Sequence, residues 1–214
     1  MNFDRIAPFY QTMETWFAGR CLQRCRLAFL DQIPRPSRVL MVGEGHGRFL
    51  VPLRRKFPET EITVLDGSAR MLEIARECLE KEGLGTERVT FVHSMIGDWQ
   101  PVDQRFDLIV TNFVLDCMTY EQLEQAVRKL SSVTAVDVHW LVADFQIPDR
   151  GMTRWRSRII LGMLYRFFGV TAGLEAQALV SPDAVLEKAG FQLLQRKTWD
   201  WDLLKSEWWR RTGE

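Results

Sequence analysis

The chain has 214 residues, a length that fits one sizeable domain whose core needs no disulfide or metal to fold. Its 28 basic and 28 acidic side chains balance, which argues against a broad electrostatic surface for nucleic acid. No CxxC pair, signal peptide or 18-residue apolar run is present, so we expect a cytoplasmic protein with free thiols and no membrane span.

Helical and strand patterns alternate along the first two thirds of the chain. Apolar residues at helical spacing predict one or two helices over 8–31. Short apolar runs predict strands at 38–42, 62–66, 89–93, 106–114 and 139–145. Helices are predicted between them at 49–57, after the N-cap residue Ser68, and at 120–130. Strands without clean alternation, separated by helices, indicate a parallel sheet that is covered on both faces.

The pattern changes after the fifth strand. Residues 151–178 are predicted to be helical, and Ser181 is predicted to cap a short helix that ends at Gly190. Strands over 191–199 and 203–211, joined by a turn at 200–202, form a predicted hairpin. The predicted fold is a Rossmann-like, doubly wound α/β sheet of about seven strands. It is mostly parallel, with an antiparallel C-terminal edge and a helical insertion after strand five.

The stretch VLMVGEGHGRFL, residues 39–50, places Gly43, Gly45 and Gly47 at alternate positions after the first strand. In an open α/β sheet, ligands bind beyond the carboxyl ends of the strands, near the point where the strand order reverses. Glycine permits a positive φ angle and lets a ligand approach the backbone closely. The loop therefore predicts a ligand site, and the alternative is a loop that only turns the chain.

Asp66 ends the second strand, 23 residues after Gly43. A carboxylate at that position can accept hydrogen bonds from both hydroxyls of a ribose, so we expect a nucleoside cofactor. The dinucleotide fingerprint G-x-G-x-x-G requires glycine where this chain has Arg48. A nicotinamide-dependent oxidoreductase is therefore disfavoured, but it remains an alternative.

The glycine loop, the acidic end of strand two and the pattern S-x-x-M-L at Ser68–Leu72 occur in this order. Together they resemble the class I S-adenosylmethionine-dependent methyltransferases. VLMVGEGHGRFL is similar to the first motif of that family, ITVLDGSARMLEIAR to the second and FDLIVTNFVLDCM to the fourth, within a likeness from Phe9 to about Phe145. The resemblance implies S-adenosyl-L-methionine as cofactor, held by Gly43, Glu44, Gly45, Gly47, Asp66, Gly67, Ser68, Met71, Met95, Ile96, Asn112 and Phe113.

Two positions depart from the family pattern. Met41 stands where the family often has an acid, and Glu44 is the candidate replacement beside the cofactor's ammonium group. The alternative for Glu44 is a solvated loop residue. Met95 and Ile96 stand near the place of an adenine-binding aspartate, and we expect them either to sandwich the adenine ring or to be ordinary core. These departures also keep open a non-catalytic protein with a degenerate cofactor site.

Candidate groups for the methyl acceptor lie beyond the later strands. Asp116 follows strand four and Asp144 is near the carboxyl end of strand five, so both are candidate catalytic carboxylates, with ordinary polar roles as the alternative. Tyr10 lies in a segment that resembles the lid of the family. Trp155 and Tyr165 lie in the insertion after strand five. These three are the candidate substrate contacts.

The helix over 152–169 combines apolar residues at spacings near four with arginines, but its amphipathicity is imperfect. It is predicted to be an apolar lid for a lipophilic acceptor, a membrane-surface helix, or a capping helix packed on the sheet. Asn112 is followed by Phe113 and Val114, not by the prolines of enzymes that methylate base amines. We therefore expect a small, partly apolar acceptor and neither nucleic acid nor metal.

The whole of 1–214 is expected to form a single methyltransferase domain. Its predicted parts are an N-terminal helical lid at 1–34, a cofactor-binding core at 35–145, a helical substrate lid at 146–180, and a C-terminal helix and strand hairpin at 181–214. Neither the acceptor atom nor the oligomeric state follows from the sequence.

Overall fold

The computed structural model describes residues 19–101, 105–148, 151–172 and 179–213. The described helices are α1 Gly19–Arg26, α2 Leu50–Lys56, α3 Ala69–Lys81, α4 Tyr120–Ser131, α5 Gly151–Ala172 and α6 Asp183–Lys188, with a 3₁₀ turn at Leu115–Cys117. The strands are β1 Arg38–Val42, β2 Glu61–Asp66, β3 Val89–His93, β4 Phe106–Asn112, β5 Thr134–Phe145, β6 Gln192–Trp199 and β7 Leu204–Arg211.

The seven strands form one sheet in the order β3-β2-β1-β4-β5-β7-β6. Strands β1 to β5 are parallel, and β7 runs antiparallel to both β5 and β6. The strand order reverses between β1 and β4, so the loops after these strands flank the switch point where ligands bind in such sheets. The predicted fold, with its parallel core and antiparallel C-terminal edge, is confirmed.

Both faces of the sheet are covered by helices, as the apolar strands require. Val39 and Met41 of β1 pack with α2, α3 and residues 27–33 on one face, whereas Leu40 and Val42 pack with α4 and α6 on the other. A strand that is buried on both faces favours apolar residues at successive positions, which is why Val39–Val42 of β1 form a continuous apolar run. This packing holds the carboxyl ends of β1, β2 and β4 side by side.

Side-chain caps begin two of the helices that flank the site. Ser68 Oγ accepts a hydrogen bond from the Met71 backbone N–H at 3.2 Å, as predicted. Thr119 and Gln122 form a reciprocal capping box at the start of α4. The predicted cap at Ser181 is wrong, because Pro182 occupies the N-cap position of α6 and the Ser181 hydroxyl donates to Asp183 instead.

Strand β5 begins at Thr134, earlier than predicted, because Thr134 already pairs with Phe106 of β4. From Val138 onward, β5 also pairs with β7. Asp137 accepts two hydrogen bonds from Arg210, and His139 accepts one from the Trp208 indole. Both residues lie toward the amino end of the sheet, away from the switch point.

The β6–β7 turn at 200–202 is confirmed, and its three residues all have positive φ angles of 50° to 61°.

All four cysteines are free thiols. Among the described helices, none is both long enough and apolar enough to cross a lipid bilayer. The predicted lid residue Tyr10 lies outside the described residues.

Candidate active site

A cavity of about 390 Å³ runs along the carboxyl edge of the parallel strands, within the size range of small-molecule sites. Because the strand order is β3-β2-β1-β4-β5, residues after β2 and β3 form one end and residues after β4 and β5 form the other. The predicted site residues that line it are Gly43, Glu44, Gly45, Asp66, Gly67, Met71, Met95, Ile96, Asn112, Phe113, Asp116 and Tyr165.

The glycine loop has no side chains at Gly43 and Gly45, so a ligand can approach its backbone closely. Gly43 and Gly45 have φ angles of 63° and 66°, in the left-handed region that glycine alone adopts without cost. A Cβ atom at Gly43 would stand 2.3 Å from Cγ2 of Val114, so the loop after β4 also needs this glycine. A Cβ at Gly45 would meet nothing within 4 Å, because this position borders the cavity.

Asp66 joins the glycine loop to the end of β2. Its two carboxylate oxygens accept hydrogen bonds from the backbone N–H of Gly45 at 3.3 Å and of Ser68 at 2.9 Å. A carboxylate has about four lone-pair sites, so Asp66 can still accept bonds from a ligand in the cavity. Ser68 itself is fully buried and does not line the cavity, because its hydroxyl caps α3. The structure shows a capping role for this hydroxyl, and the predicted cofactor contact of Ser68 stays a prediction.

Gly47 also lies outside the cavity. A Cβ there would stand 3.3 Å from Cβ of Cys78 and 3.5 Å from Cα of Ala75, so this glycine allows the loop to pack against α3. The prediction that Gly47 contacts the cofactor is not supported by this geometry. Gly47 packs the loop onto the helix that follows β2.

Glu44 is buried in the loop before α2, contrary to the alternative of a solvated loop residue. Its Oε1 accepts hydrogen bonds from the backbone N–H groups of Phe49 at 2.5 Å and Leu50 at 2.8 Å. Burial raises the pKa of this carboxyl to about 7, and the nearby charge of Asp66 adds to the rise. Because Glu44 also lines the cavity, its charge responds to whatever binds there.

The β2–β3 end of the cavity is apolar and open. Met71, Met95 and Ile96 line it, and the Met95 side chain is 45% exposed. Met95 is therefore not an ordinary core residue. A Cβ at Gly67 would stand 2.6 Å from Sδ of Met95, so the flexible side chain of this methionine lies directly against the glycine. A flat apolar ring fits such a surface.

The β4–β5 end combines apolar walls with a few polar atoms. Tyr165 of α5 donates its hydroxyl hydrogen to the backbone carbonyl of Asp116 at 2.9 Å. Oδ1 of Asp116 and Nδ2 of Asn112 are buried and meet no hydrogen-bond partner among the described residues. Buried polar atoms without partners are costly, so two such atoms in one cavity wall fit a site that binds a polar group of a ligand.

Asp144 lies behind Asp116 and does not line the cavity. It is fully buried, so the geometry does not support the prediction that it faces the acceptor. Burial raises the pKa of both carboxyls, and the charge of Asp116 raises that of Asp144 further. Two neighbouring buried carboxyls do not both ionise easily, so the ionisation of Asp116 at the cavity wall is coupled to that of Asp144 behind it.

A buried ionic network supports Asp144 from the other side. Lys205, which pairs with Asp144 across β5 and β7, places Nζ 2.6 Å from Oδ1 of Asp183 and 2.8 Å from Oε1 of Glu207. Arg196 contacts the same two carboxylates. The described residues hold no cluster of three potential metal-ligating side chains.

Arg26 lines the cavity although no sequence pattern singled it out, whereas the predicted substrate contact Trp155 does not line it. Arg26 at the end of α1 lines the cavity, with its guanidinium 4.9 Å from the centre of the Phe113 ring. No local motif marks Arg26, since only packing brings α1 to the sheet. Trp155, a predicted substrate contact, is 72% exposed and lies outside the cavity, whereas Leu161, Leu164 and Tyr165 of the same helix line it.

Sequence comparison finds relatives for the part of the chain that builds this site. Residues 39–137, which include the glycine loop, Asp66 and the loop after β4, match the family described as methyltransferase domain. A demethylmenaquinone methyltransferase from Bacteroides fragilis is 28% identical over 151 residues, which cover 69% of this chain. The match spans 60% of the length of that relative.

Solved structures share the fold at low identity. A mitomycin 7-O-methyltransferase superposes with a TM-score of 0.71 at 19% identity, over 99% of this chain and 61% of that one. The cyclase SpnF superposes with a TM-score of 0.72 at 15% identity, over 99% and 95% of the two chains. The family resemblance inferred from the motifs is confirmed: residues 39–137 match the methyltransferase domain family, and the seven-stranded sheet has the Rossmann-like fold of methyltransferases.

Proposed function

We propose that this chain binds S-adenosylmethionine in the cavity and catalyses transfer of its methyl group to a small, partly apolar acceptor. The observation that carries the proposal is that the Gly43–Gly45 loop, Asp66 and Asp116 all line one cavity. They follow one another in the order expected of a class I methyltransferase. The name of the Bacteroides fragilis relative, demethylmenaquinone methyltransferase, supports an apolar acceptor.

The residues present fit the cofactor piece by piece. Asp66 lines the cavity and would accept hydrogen bonds from the ribose hydroxyls, and Met71, Met95 and Ile96 would form the surface for the adenine ring. Arg26 offers a guanidinium for a carboxylate, and Glu44 offers a carboxylate for an ammonium group. S-adenosylmethionine supplies an already activated methyl group, so the main task of the protein is to align the acceptor and exclude water.

The β4–β5 end of the cavity is the proposed acceptor site. Phe145, Leu161 and Leu164 form apolar walls that favour an aromatic or lipophilic acceptor. Asp116 is the carboxylate at this end whose Oδ1 has no partner among the described residues, and we assign it the role of taking the acceptor's proton. Asp144 acts through Asp116, because the ionisations of the two carboxyls are coupled, so it is a positioning residue.

We further propose that the chain works as one domain. Helix α5 covers the acceptor end as part of a substrate lid at 146–180, and the N-terminal segment 1–34 contributes Arg26 from the other side. The core at 35–145 binds the cofactor, and 181–214 extends the sheet behind it. A nucleic-acid acceptor is not favoured, because the prolines that accompany base-amine methylation do not follow Asn112.

Thermal shift and methyl-transfer assays test the proposal together. S-adenosylhomocysteine is expected to raise the melting temperature, and NADH is expected to leave it unchanged. A stabilising effect of NADH alone would favour the oxidoreductase alternative. The protein is then incubated with a cell extract and methyl-labelled S-adenosylmethionine, and a labelled small molecule is expected. Binding of S-adenosylhomocysteine without methylation of any acceptor, in extract or in a broad panel, would favour a non-catalytic protein.

A further inference from the structure

Helix α5 has two apolar faces on opposite sides. Leu161, Leu164 and Tyr165 face the cavity, and Ser157 one turn earlier is buried on the same side. At 100° per residue, the opposite side of the helix carries a stripe of exposed side chains. These are Met152, Trp155, Ile159 and Met163, with Met152 exposed by 91% and Met163 by 60%. This double pattern explains the imperfect amphipathicity of the sequence.

A second exposed tryptophan adjoins the outer face of α5. Arg156 donates hydrogen bonds to both carboxylate oxygens of Asp200, at 3.1 and 3.2 Å, and this ion pair holds the β6–β7 turn beside the helix. The next residue of that turn, Trp201, is 73% exposed. We call Met152, Trp155, Ile159, Met163 and Trp201 the α5 patch. Large apolar side chains that cluster at the surface mark an interaction site more often than a bare solvent face.

The charge of α5 indicates which kind of partner the patch fits. The helix contains four arginines and no acidic residue. Arg158 and Arg166 are exposed beside the patch, and Arg156 is neutralised by Asp200. A helix with tryptophan and aliphatic residues on its exposed face, arginines along its flanks and no acid is suited to lie in the headgroup region of an anionic bilayer.

We propose that the α5 patch docks this chain on the surface of a bilayer with anionic headgroups. Trp155 and Trp201 insert at the headgroup level, and the arginines contact phosphates. A second copy of the chain fits the same face poorly, because a two-fold interface would bring the arginines of two helices together without acidic partners. The proposal does not depend on methyl transfer. It would place the acceptor end of the cavity, on the inner face of the same helix, next to the lipid phase.

Vesicle sedimentation with the full chain tests the docking. Wild-type protein is expected to sediment with vesicles of phosphatidylcholine and phosphatidylglycerol in equal parts, and to bind vesicles of phosphatidylcholine alone more weakly. Added salt is expected to weaken binding to the anionic vesicles. Trp155→Glu is expected to lower the partition constant at least about tenfold, because burial of one large apolar side chain contributes more than a factor of ten.

Val136→Glu is the matched control. Val136 is equally exposed, at 74%, but it lies near the amino end of β5, at the opposite edge of the sheet. The same change of charge there is expected to leave vesicle binding unchanged. Equal binding by Trp155→Glu and wild type, or no binding of wild type to anionic vesicles, overturns the proposal.

Two further measurements separate the other possible occupants of the patch. A dimer in analytical ultracentrifugation that Trp155→Glu converts to monomer would assign the face to a second copy and overturn the proposal. A lower melting temperature of Trp155→Glu would show that the chain covers this face itself and would also overturn it. An unchanged monomer with an unchanged melting temperature and weakened vesicle binding supports the docking.

Discussion

The carboxylate of Asp66 at the end of β2 accepts a hydrogen bond from the backbone N–H of Gly45, 3.3 Å away in the loop after β1. This bond joins the two sequence features that predicted a nucleoside site, and both residues line the same cavity. The acid therefore orders the glycine loop as well as offering acceptors to a ligand. The predictions below separate such structural roles from binding and catalysis.

Gly45→Ala is expected to abolish binding of S-adenosylhomocysteine while the fold survives. Alanine at this positive φ angle costs about 1–2 kcal/mol of stability, and its methyl group narrows the cavity at the closest approach of the loop. Gly83→Ala is the matched control, because Gly83 has φ 65°, equally open surroundings and no place in the cavity. The two variants should lose similar stability in denaturant titrations. Calorimetry should show loss of binding for Gly45→Ala alone, and equal binding would remove Gly45 from the site.

Binding of S-adenosylhomocysteine is expected to weaken as the pH falls below about 7, the pKa to which burial raises Glu44. An ammonium group of the ligand beside Glu44 lowers the pKa of this carboxyl. The complex therefore favours ionised Glu44, and protonation of Glu44 at lower pH opposes binding. Affinity is therefore full above that pH and falls by up to about tenfold per pH unit below it. Glu44→Gln keeps an oxygen for the Phe49 and Leu50 N–H groups but removes the charge. Calorimetric titrations of this variant should show a flatter pH profile, and an unchanged profile would contradict the assignment.

Asp116→Asn is expected to lower kcat/KM about 10²–10⁴-fold, the usual contribution of a general base, with little effect on cofactor affinity. Because burial raises the pKa of Asp116, the acidic limb of the wild-type rate profile should lie above the ordinary carboxyl range. The rate should rise with pH through that limb, since the base acts when ionised, and the variant should lack the limb. Asp137→Asn, which alters a carboxylate paired with Arg210 far from the cavity, is the control. A wild-type rate in Asp116→Asn would show that no base is needed there.

Lys205→Met is expected to destabilise the fold by about 3 kcal/mol, because Arg196 is then the only charge partner among the described residues for the fully buried Glu207 and the partly buried Asp183. Lys188→Met removes an exposed lysine paired with Glu124 and should cause no measurable loss. Urea denaturation of both variants measures the difference. Equal stability of the two would mean that the buried network contributes nothing net.

Much of the fold and of the cofactor end of the site follows from local pattern. The apolar run of β1, the glycines after it and Asp66 at the end of β2 are set by strand burial and by the backbone needs of the loop. These requirements involve residues that are close together in the sequence, so sequence patterns predict them directly. The helix cap at Ser68 was predictable for the same reason.

The remaining features depend on contacts distant in sequence. Arg26 reaches the cavity only because α1 packs against β5, β6 and β7. Asp144 is enclosed by Lys205 and Glu207 of a strand some 60 positions later, which no spacing rule reports. Trp155 was assigned to the wrong side of α5 because both sides of that helix are apolar, and periodicity cannot tell an inner face from an outer one.

A crystal structure with S-adenosylhomocysteine tests the central claim most directly. The account predicts the ribose hydroxyls within hydrogen-bond distance of the Asp66 carboxylate, the adenine against Met95 and Ile96, and the amino-acid end beside Gly43–Gly45, Glu44 and Arg26. The sulfur should point toward Asp116 and Tyr165. A ligand bound outside this cavity, or an Asp66 carboxylate turned away from the ribose, would contradict it.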